Sequence, residues 1–128
     1  MDLHDLEHNT RDGVHIASLA GSWLALVCGF GGLRHEDGEI TFIPRLPGGL
    51  ARITFNVLAQ GRHLVVEVTR TIAKYTLKDG EPFTITHHGE ELTVSVGTPA
   101  ERPIPRIAVR TSPKQPPGRE PVHRRPAS

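Results

Sequence analysis

Little in this 128-residue chain can cross-link, stack or span. Cys28 is the single cysteine, so no disulfide can close within the chain, which suits a reducing compartment. Aromatic residues are 5% of the total, one Trp, one Tyr and four Phe, which leaves few platforms on which a sugar ring could stack. The formal net charge is +1, which provides no argument for nucleic acid or an anionic membrane as a partner. No apolar run reaches the length of a bilayer span. The strongest, around Trp23, is broken by Ser18, Gly21 and Ser22. The N-terminus, Met1-Asp2-Leu3-His4-Asp5, is acidic from its second residue, the opposite of a secretory signal. A soluble, cytoplasmic protein is expected.

What is present divides the chain into three parts. Residues 1–14 are polar and acidic, with Asn9-Thr10 and Asp12-Gly13 as turn or cap signals. A helix is expected from about His15 to Cys28, because Ile16, Leu19, Ala20, Trp23, Leu24 and Val27 follow helical spacing. Leu26, Ala25 and Cys28 make the other side apolar too, the pattern of a helix buried inside a larger structure. Gly29, Gly31 and Gly32 then stop it. From Glu39 the period becomes two. Ile40 and Phe42, then Ile53, Phe55 and Val57, then Leu64, Val66 and Val68 alternate with polar neighbours. Tyr75 and Leu77, Phe83 and Ile85, and Leu92, Val94 and Val96 continue the series. Pro47-Gly48-Gly49, Gln60-Gly61, Asp79-Gly80 and His88-Gly89 separate the runs. Short alternating strands at this spacing predict a mainly β fold, a small antiparallel β-sandwich of jelly-roll-like type. After Gly97 the composition shifts. Residues 98–128 hold eight of the eleven prolines and 7 Lys/Arg against 2 Asp/Glu, while residues 1–97 hold 8 against 12. A disordered basic tail over 98–128 is expected, with Ile104, Ile107 and Val109 able to dock locally on the sandwich.

The chemistry-bearing residues are few. His15 and Ser18 stand three apart where the helix begins, and a helix N-terminus draws anions through its free N–H groups and dipole. A phosphate or sulfate site is one reading; a helix cap beside a satisfied polar residue is the other. His4 and His8 lie one turn apart if that segment is helical, but His4-Asp5-Leu6-Glu7-His8 is not the H-E-x-x-H motif and has no evident third ligand. No metal site is expected. His87-His88 precede Gly89 at a turn; neighbours on a strand point to opposite faces, so a hairpin end is the better reading. Ser18 lacks the glycines of a nucleophile elbow, with Ile16 and Ala20 in their places. No carboxylate pair stands out as a glycosidase acid and base.

Taken in order, Asn9-Thr10, Asp12-Gly13, His15-Ile16-Ala17-Ser18-Leu19-Ala20-Gly21, Trp23 and Gly29-Phe30-Gly31-Gly32-Leu33-Arg34 resemble glycoside hydrolase family 65. Asp37-Gly38-Glu39-Ile40, Phe42 and Pro44-Arg45-Leu46-Pro47 look like the entry to that family's C-terminal sheet domain. The family includes trehalose, maltose and kojibiose phosphorylases and acid trehalases. The resemblance implies that residues 1–34 are a terminal segment and the last helix of an (α/α)6 catalytic barrel. Residues 35–97 would be the C-terminal β-sandwich, with 98–128 outside the match. It implies an inverting disaccharide phosphorylase acting on trehalose-like α-glucosides, with inorganic phosphate as co-substrate and no further cofactor. A glutamic acid protonates the glycosidic oxygen while phosphate attacks the opposite face of the anomeric carbon. The family's phosphate site carries over to His15, Ser18 and, for close backbone approach, Gly21; no catalytic residue carries over. The partner implied is the rest of the barrel, so the chain is expected to be a C-terminal fragment without turnover of its own. A related hydrolase such as trehalase, or a stand-alone carbohydrate-binding accessory module, are the alternatives. Left alone, so apolar a helix should aggregate, form a homodimer, or fold back over the sandwich.

Overall fold

The computed structural model describes residues 16–106 and Gly118. Its order is a helix α1 (Ile16–Leu24), a π-helical turn (Ala25–Phe30) and eight strands among the described residues. These are β1 (Leu33–Glu36), β2 (Glu39–Phe42), β3 (Arg52–Ala59), β4 (Arg62–Thr69), β5 (Ile72–Asp79), β6 (Phe83–His87), β7 (Glu90–Val94) and β8 (Ala100–Pro103). They form two four-stranded sheets, in the orders β1-β2-β6-β7 and β3-β4-β5-β8.

Alternation decides which side chains enter the space between the sheets. On β4, Leu64, Val66 and Val68 are wholly buried. On β5, Ala73, Tyr75 and Leu77 take that role, and Phe42, Ile85, Leu92 and Val94 meet them from the other sheet. Burying one such side chain contributes about 1.5–3 kcal/mol. Three hairpins turn on two residues that both have positive φ: Asp37-Gly38, Gln60-Gly61 and His88-Gly89. That is the turn geometry whose twist matches paired strands. The β4–β5 hairpin uses a different device. The Thr69 hydroxyl accepts from the Ile72 N–H at 3.0 Å and donates to the Ile72 carbonyl at 2.9 Å. No glycine marks that turn.

Among the described strands one pair is parallel, β2 with β6, through Thr41–Thr86 and Phe42–His87, and an isolated parallel bridge joins Leu77 to Val96. The tail boundary also moves. Residues 100–103, expected in a disordered tail, pair antiparallel with β5 and complete the second sheet. Pro103 is tolerated because β8 is an edge strand. Ile104 docks as expected, its side chain packed on the core and its N–H bonded to the Thr71 carbonyl at 2.7 Å. Ile107 and Val109 lie outside the described residues.

A buried polar contact joins the layers. His87 on β6 is 2% exposed. Its Nε2 lies 3.0 Å from the Pro103 carbonyl, which can only accept, so Nε2 carries the proton. Nδ1 therefore accepts, and the Tyr75 hydroxyl donates to it at 2.7 Å. One side chain of the first sheet thus ties two strands of the second. Burial holds the Tyr75 hydroxyl well above its usual range. Burial also pushes the His87 imidazole below its ordinary value, and Arg102 adds to that, against the Pro103 hydrogen bond and Glu90. His88 is lowered too, by burial first and then by His87 and Arg45, against a Pro44 backbone contact.

The helix is joined to the sandwich through Gly31 and Gly32. The Gly31 N–H closes the π-turn on the Leu26 carbonyl at 2.8 Å. A Cβ on Gly31 would sit 2.5 Å from the Val27 carbonyl oxygen and 2.7 Å from the Phe55 ring. Gly32 has φ +66°, and a Cβ there would come within 2.2 Å of the Ile43 carbonyl oxygen. Arg34 completes the joint, its Nη1 donating to the Cys28 carbonyl at 2.7 Å where the helical bonding ends.

Two outcomes follow. Gly32→Ala should cost more than about 2 kcal/mol in chemical denaturation, since left-handed strain and a backbone clash coincide. Gly38→Ala, at φ +84° with nothing within 4 Å, should cost only the conformational part, about 1 kcal/mol. Equal losses would remove the clash argument. The second outcome concerns pH. His87 and His88 are held neutral in the fold but take up protons near 6.5 when unfolded, so the unfolded chain binds more protons below that value. Stability should be full above about pH 6.5 and decline as pH falls toward 5, with Tyr75→Phe lowering it by about 1–2 kcal/mol at neutral pH. A Tm unchanged between pH 7 and pH 5 would contradict this.

Candidate functional site

The helical segment and the strand it crosses hold the candidate site. Ser18, Gly21 and Ser22 stand at i, i+3 and i+4 and so share one face of α1. Ser18 is half-buried, and its carbonyl accepts the Ser22 hydroxyl at 2.9 Å. That back-bond uses Ser22 locally. Gly21 is exposed, and a Cβ there would meet nothing within 4 Å, so the described part of the chain makes no close approach to it. His15 lies outside the described residues, as do His4 and His8. The described fold therefore places Ser18 and Gly21 on one face of a helix and carries no geometry for His15 beside them.

The apolar side of the helix was expected to be buried. In this chain no residue of α1 is buried, and only Val27 of the following turn is. Ile16, Leu19, Trp23, Leu24 and Leu26 are all exposed, Ile16 at 76% and Trp23 at 48%. The physical reason is supply. The sandwich meets the helical segment only at its last turn, where Val27 joins the core, Gly31 lies against Phe55 and the Phe30 carbonyl accepts from the Arg45 N–H. Between Trp23, Leu26 and Val27 on one side and Ile53, Thr54, Phe55 and Asn56 on the other runs an open groove of about 430 Å³. Its helix wall is apolar and its strand wall mixed, and it lies along the free edge of the second sheet. An exposed apolar area of this extent marks a surface built to be covered.

His87 and His88, read as a hairpin end, do sit at one, but they act apart. His87 is the interlayer tie described above. His88 occupies the turn at φ +48°, with its N–H on the Phe42 carbonyl at 2.9 Å. Among the described residues no group of three His, Cys, Asp or Glu side chains could hold a metal ion, and no helix is long and apolar enough to cross a membrane. The tie of Tyr75 to His87 was not legible beforehand. The two are twelve residues apart on strands of different sheets, and nothing local distinguishes them from core and turn residues. A second groove, lined by Arg45, Leu46, Arg70, Ile104, Pro105 and Arg106, also escaped sequence reading, because its arginines lie far apart in the chain.

Comparison with known proteins places the fold. Residues 33–94 match the Glycosyl hydrolase family 65, C-terminal domain. An uncharacterized glycosyl hydrolase of Mycobacterium tuberculosis is 47% identical over 133 residues, 98% of this chain and 16% of that protein. An alpha,alpha-trehalose phosphorylase of Thermoanaerobacter brockii is 40% identical over 97 residues, 76% of this chain and 12% of that enzyme. A structure named for a kojibiose phosphorylase from the human microbiome superposes with a TM-score of 0.70 at 25% identity, over 80% of this chain and 14% of the other. The chain thus spans less than a fifth of the length of these relatives.

If the exposed helix face seeks cover, the isolated chain should self-associate. Sedimentation should show dimers or larger species, and replacing Leu19 and Trp23 with Ser and Gln should shift them toward monomer. A monodisperse monomer with α1 fully solvated would contradict that expectation.

Proposed function

The chain belongs to glycosyl hydrolase family 65, as a C-terminal part, and from that premise we propose that it serves an inverting disaccharide phosphorylase acting on trehalose-like α-glucosides. The observation that carries this reading is the Ser18–Gly21–Ser22 face, held by the rigid Gly31-Gly32 joint and left open, in a chain similar to trehalose and maltose phosphorylases. In this reading His15, with Ser18 and Gly21 of the first helix, serves a phosphate site, and the sandwich fixes where that helix sits. The helix N-terminus adds N–H donors and the positive end of its dipole. The rest of the barrel covers Trp23, Leu26 and the groove along β3.

The reaction then needs one bond exchanged. A phosphate oxygen attacks the anomeric carbon while the glycosidic C–O bond breaks on the opposite face. A glutamic acid, which we place in the part of the enzyme this chain does not span, gives its proton to the departing oxygen. One hexose leaves free and the other leaves as its 1-phosphate, with inverted configuration. His15 and Ser18 hold the dianion in line and touch no carbon.

A hydrolase reading also has support, since the mycobacterial relatives are named glycosyl hydrolases. Water would then replace phosphate. The complete enzyme separates the two. With trehalose, phosphorolysis yields glucose 1-phosphate only when phosphate is present, and His15→Ala should raise the phosphate KM by about tenfold or more. Phosphate should protect the enzyme thermally by RT ln(1 + [L]/Kd), and the same variant should lose that protection. Free glucose as the only product, at a rate indifferent to phosphate, would overturn the phosphorylase reading. The purified 128-residue chain is expected to release no glucose 1-phosphate.

A further inference from the structure

Away from the helix, three segments distant in sequence meet at one end of the sandwich. Arg45 follows β2, Arg70 lies in the β4–β5 turn, and Arg106 follows β8. Together with Leu46, Ile104 and Pro105 they line a groove of about 310 Å³. Among the described residues no carboxylate lines it, and none of the three arginines forms an ion pair. The arginines are mounted on fixed backbone. The Arg45 N–H donates to the Phe30 carbonyl at 2.8 Å, and the Ile104 N–H ties the β8 exit to Thr71 at 2.7 Å. Arg70 is itself pinned, its Nη2 donating to the Gly48 carbonyl at 2.7 Å and its Nε to the Leu50 carbonyl at 3.3 Å. Those bonds leave Nη1 without a partner among the described residues.

Three arginines line one groove with no opposing charge beside them among the described residues, and like charges so gathered favour an anion. The field of Arg45 is already felt at His88, whose imidazole it helps hold neutral. Guanidinium forks match the oxygens of a phosphoryl group, and a dianion answers more of the charge than a carboxylate does. The volume falls at the small end of organic-ligand sites, and Leu46, Ile104 and Pro105 give it an apolar wall. We propose that the groove between Arg45, Arg70 and Arg106 is a binding site for a small phosphomonoester, separate from the helix face. It does not depend on the phosphorylase reading above.

Glucose 1-phosphate is the probe, titrated by calorimetry into the 128-residue chain at low salt. Saturable binding at about millimolar strength or tighter is expected, with Arg45→Gln and Arg106→Gln each weakening it about tenfold. Lys74→Gln, an equal loss of charge outside the groove, should leave it unchanged. Glucose should not bind there. Arg70→Gln is the less clean variant, because Arg70 also holds the 48–50 loop. Absence of saturation by about 20 mM, or unchanged affinity in both the Arg45 and Arg106 variants, would overturn the site. So would binding lost in Ser18→Ala but kept in those two variants, which would assign the ligand to the helix. Tighter binding of an oligoglutamate peptide than of glucose 1-phosphate would overturn the ligand class in favour of an acidic segment.

Discussion

The sandwich hangs on His87. Its imidazole is buried in the core, and it spends both ring nitrogens across the gap between the sheets. Apolar packing alone would let two small sheets slide, because it has no direction. A hydrogen-bonded imidazole between Tyr75 and Pro103 has direction, and it fixes β6 against β5 and β8 at once. Phe42 packs tilted against Tyr75 at a ring-centre distance of 5.1 Å, so the aromatic and polar contacts between the layers share one centre. Protonating His87 would put a charge into this buried contact, so the cohesion of the fold falls as pH drops below the ordinary imidazole range.

From that centre the structure reaches the helix by a short rigid path. Phe42 leads to Ile43, whose backbone leaves room for Gly32 and nothing larger. Gly31 lies against Phe55, Val27 is buried beside it, and Arg34 holds the Cys28 carbonyl of the helical turn. The helix is therefore a projecting arm set at a defined angle by side-chain-free backbone, with its apolar face left to a neighbour. In the phosphorylase reading proposed above, this joint is what would position the helix, and Ser18 with it.

Much of the sheet was readable from alternation. Runs such as Ile53-Phe55-Val57 and Leu64-Val66-Val68 carry their own period, and Gln60-Gly61 and His88-Gly89 carry the positive φ that a tight hairpin needs. β1 was not readable, since Leu33-Arg34-His35-Glu36 has one apolar residue and becomes a strand only by pairing with β2. β8 was hidden among prolines, and its pairing with β5 is set by where β5 lies. The β4–β5 turn has no glycine, and Thr69 makes it through a hydroxyl. For the candidate site, the helix and the family resemblance located Ser18 and Gly21. The arginine groove had no local signature at all.

Periodicity, turn residues and the order of motifs determined the class of fold, the apolar helix with its glycine stop, and the family. These are local properties, set by neighbours within a few positions, and a sequence displays them directly. Only the tertiary structure decided the parallel meeting of β2 and β6, the recruitment of residues 100–103, the proton placement on His87 and the gathering of Arg45, Arg70 and Arg106. Each of these joins residues separated by more than a hairpin. Such contacts depend on how two sheets stack and which edges remain open, and no stretch of the chain carries that information alone.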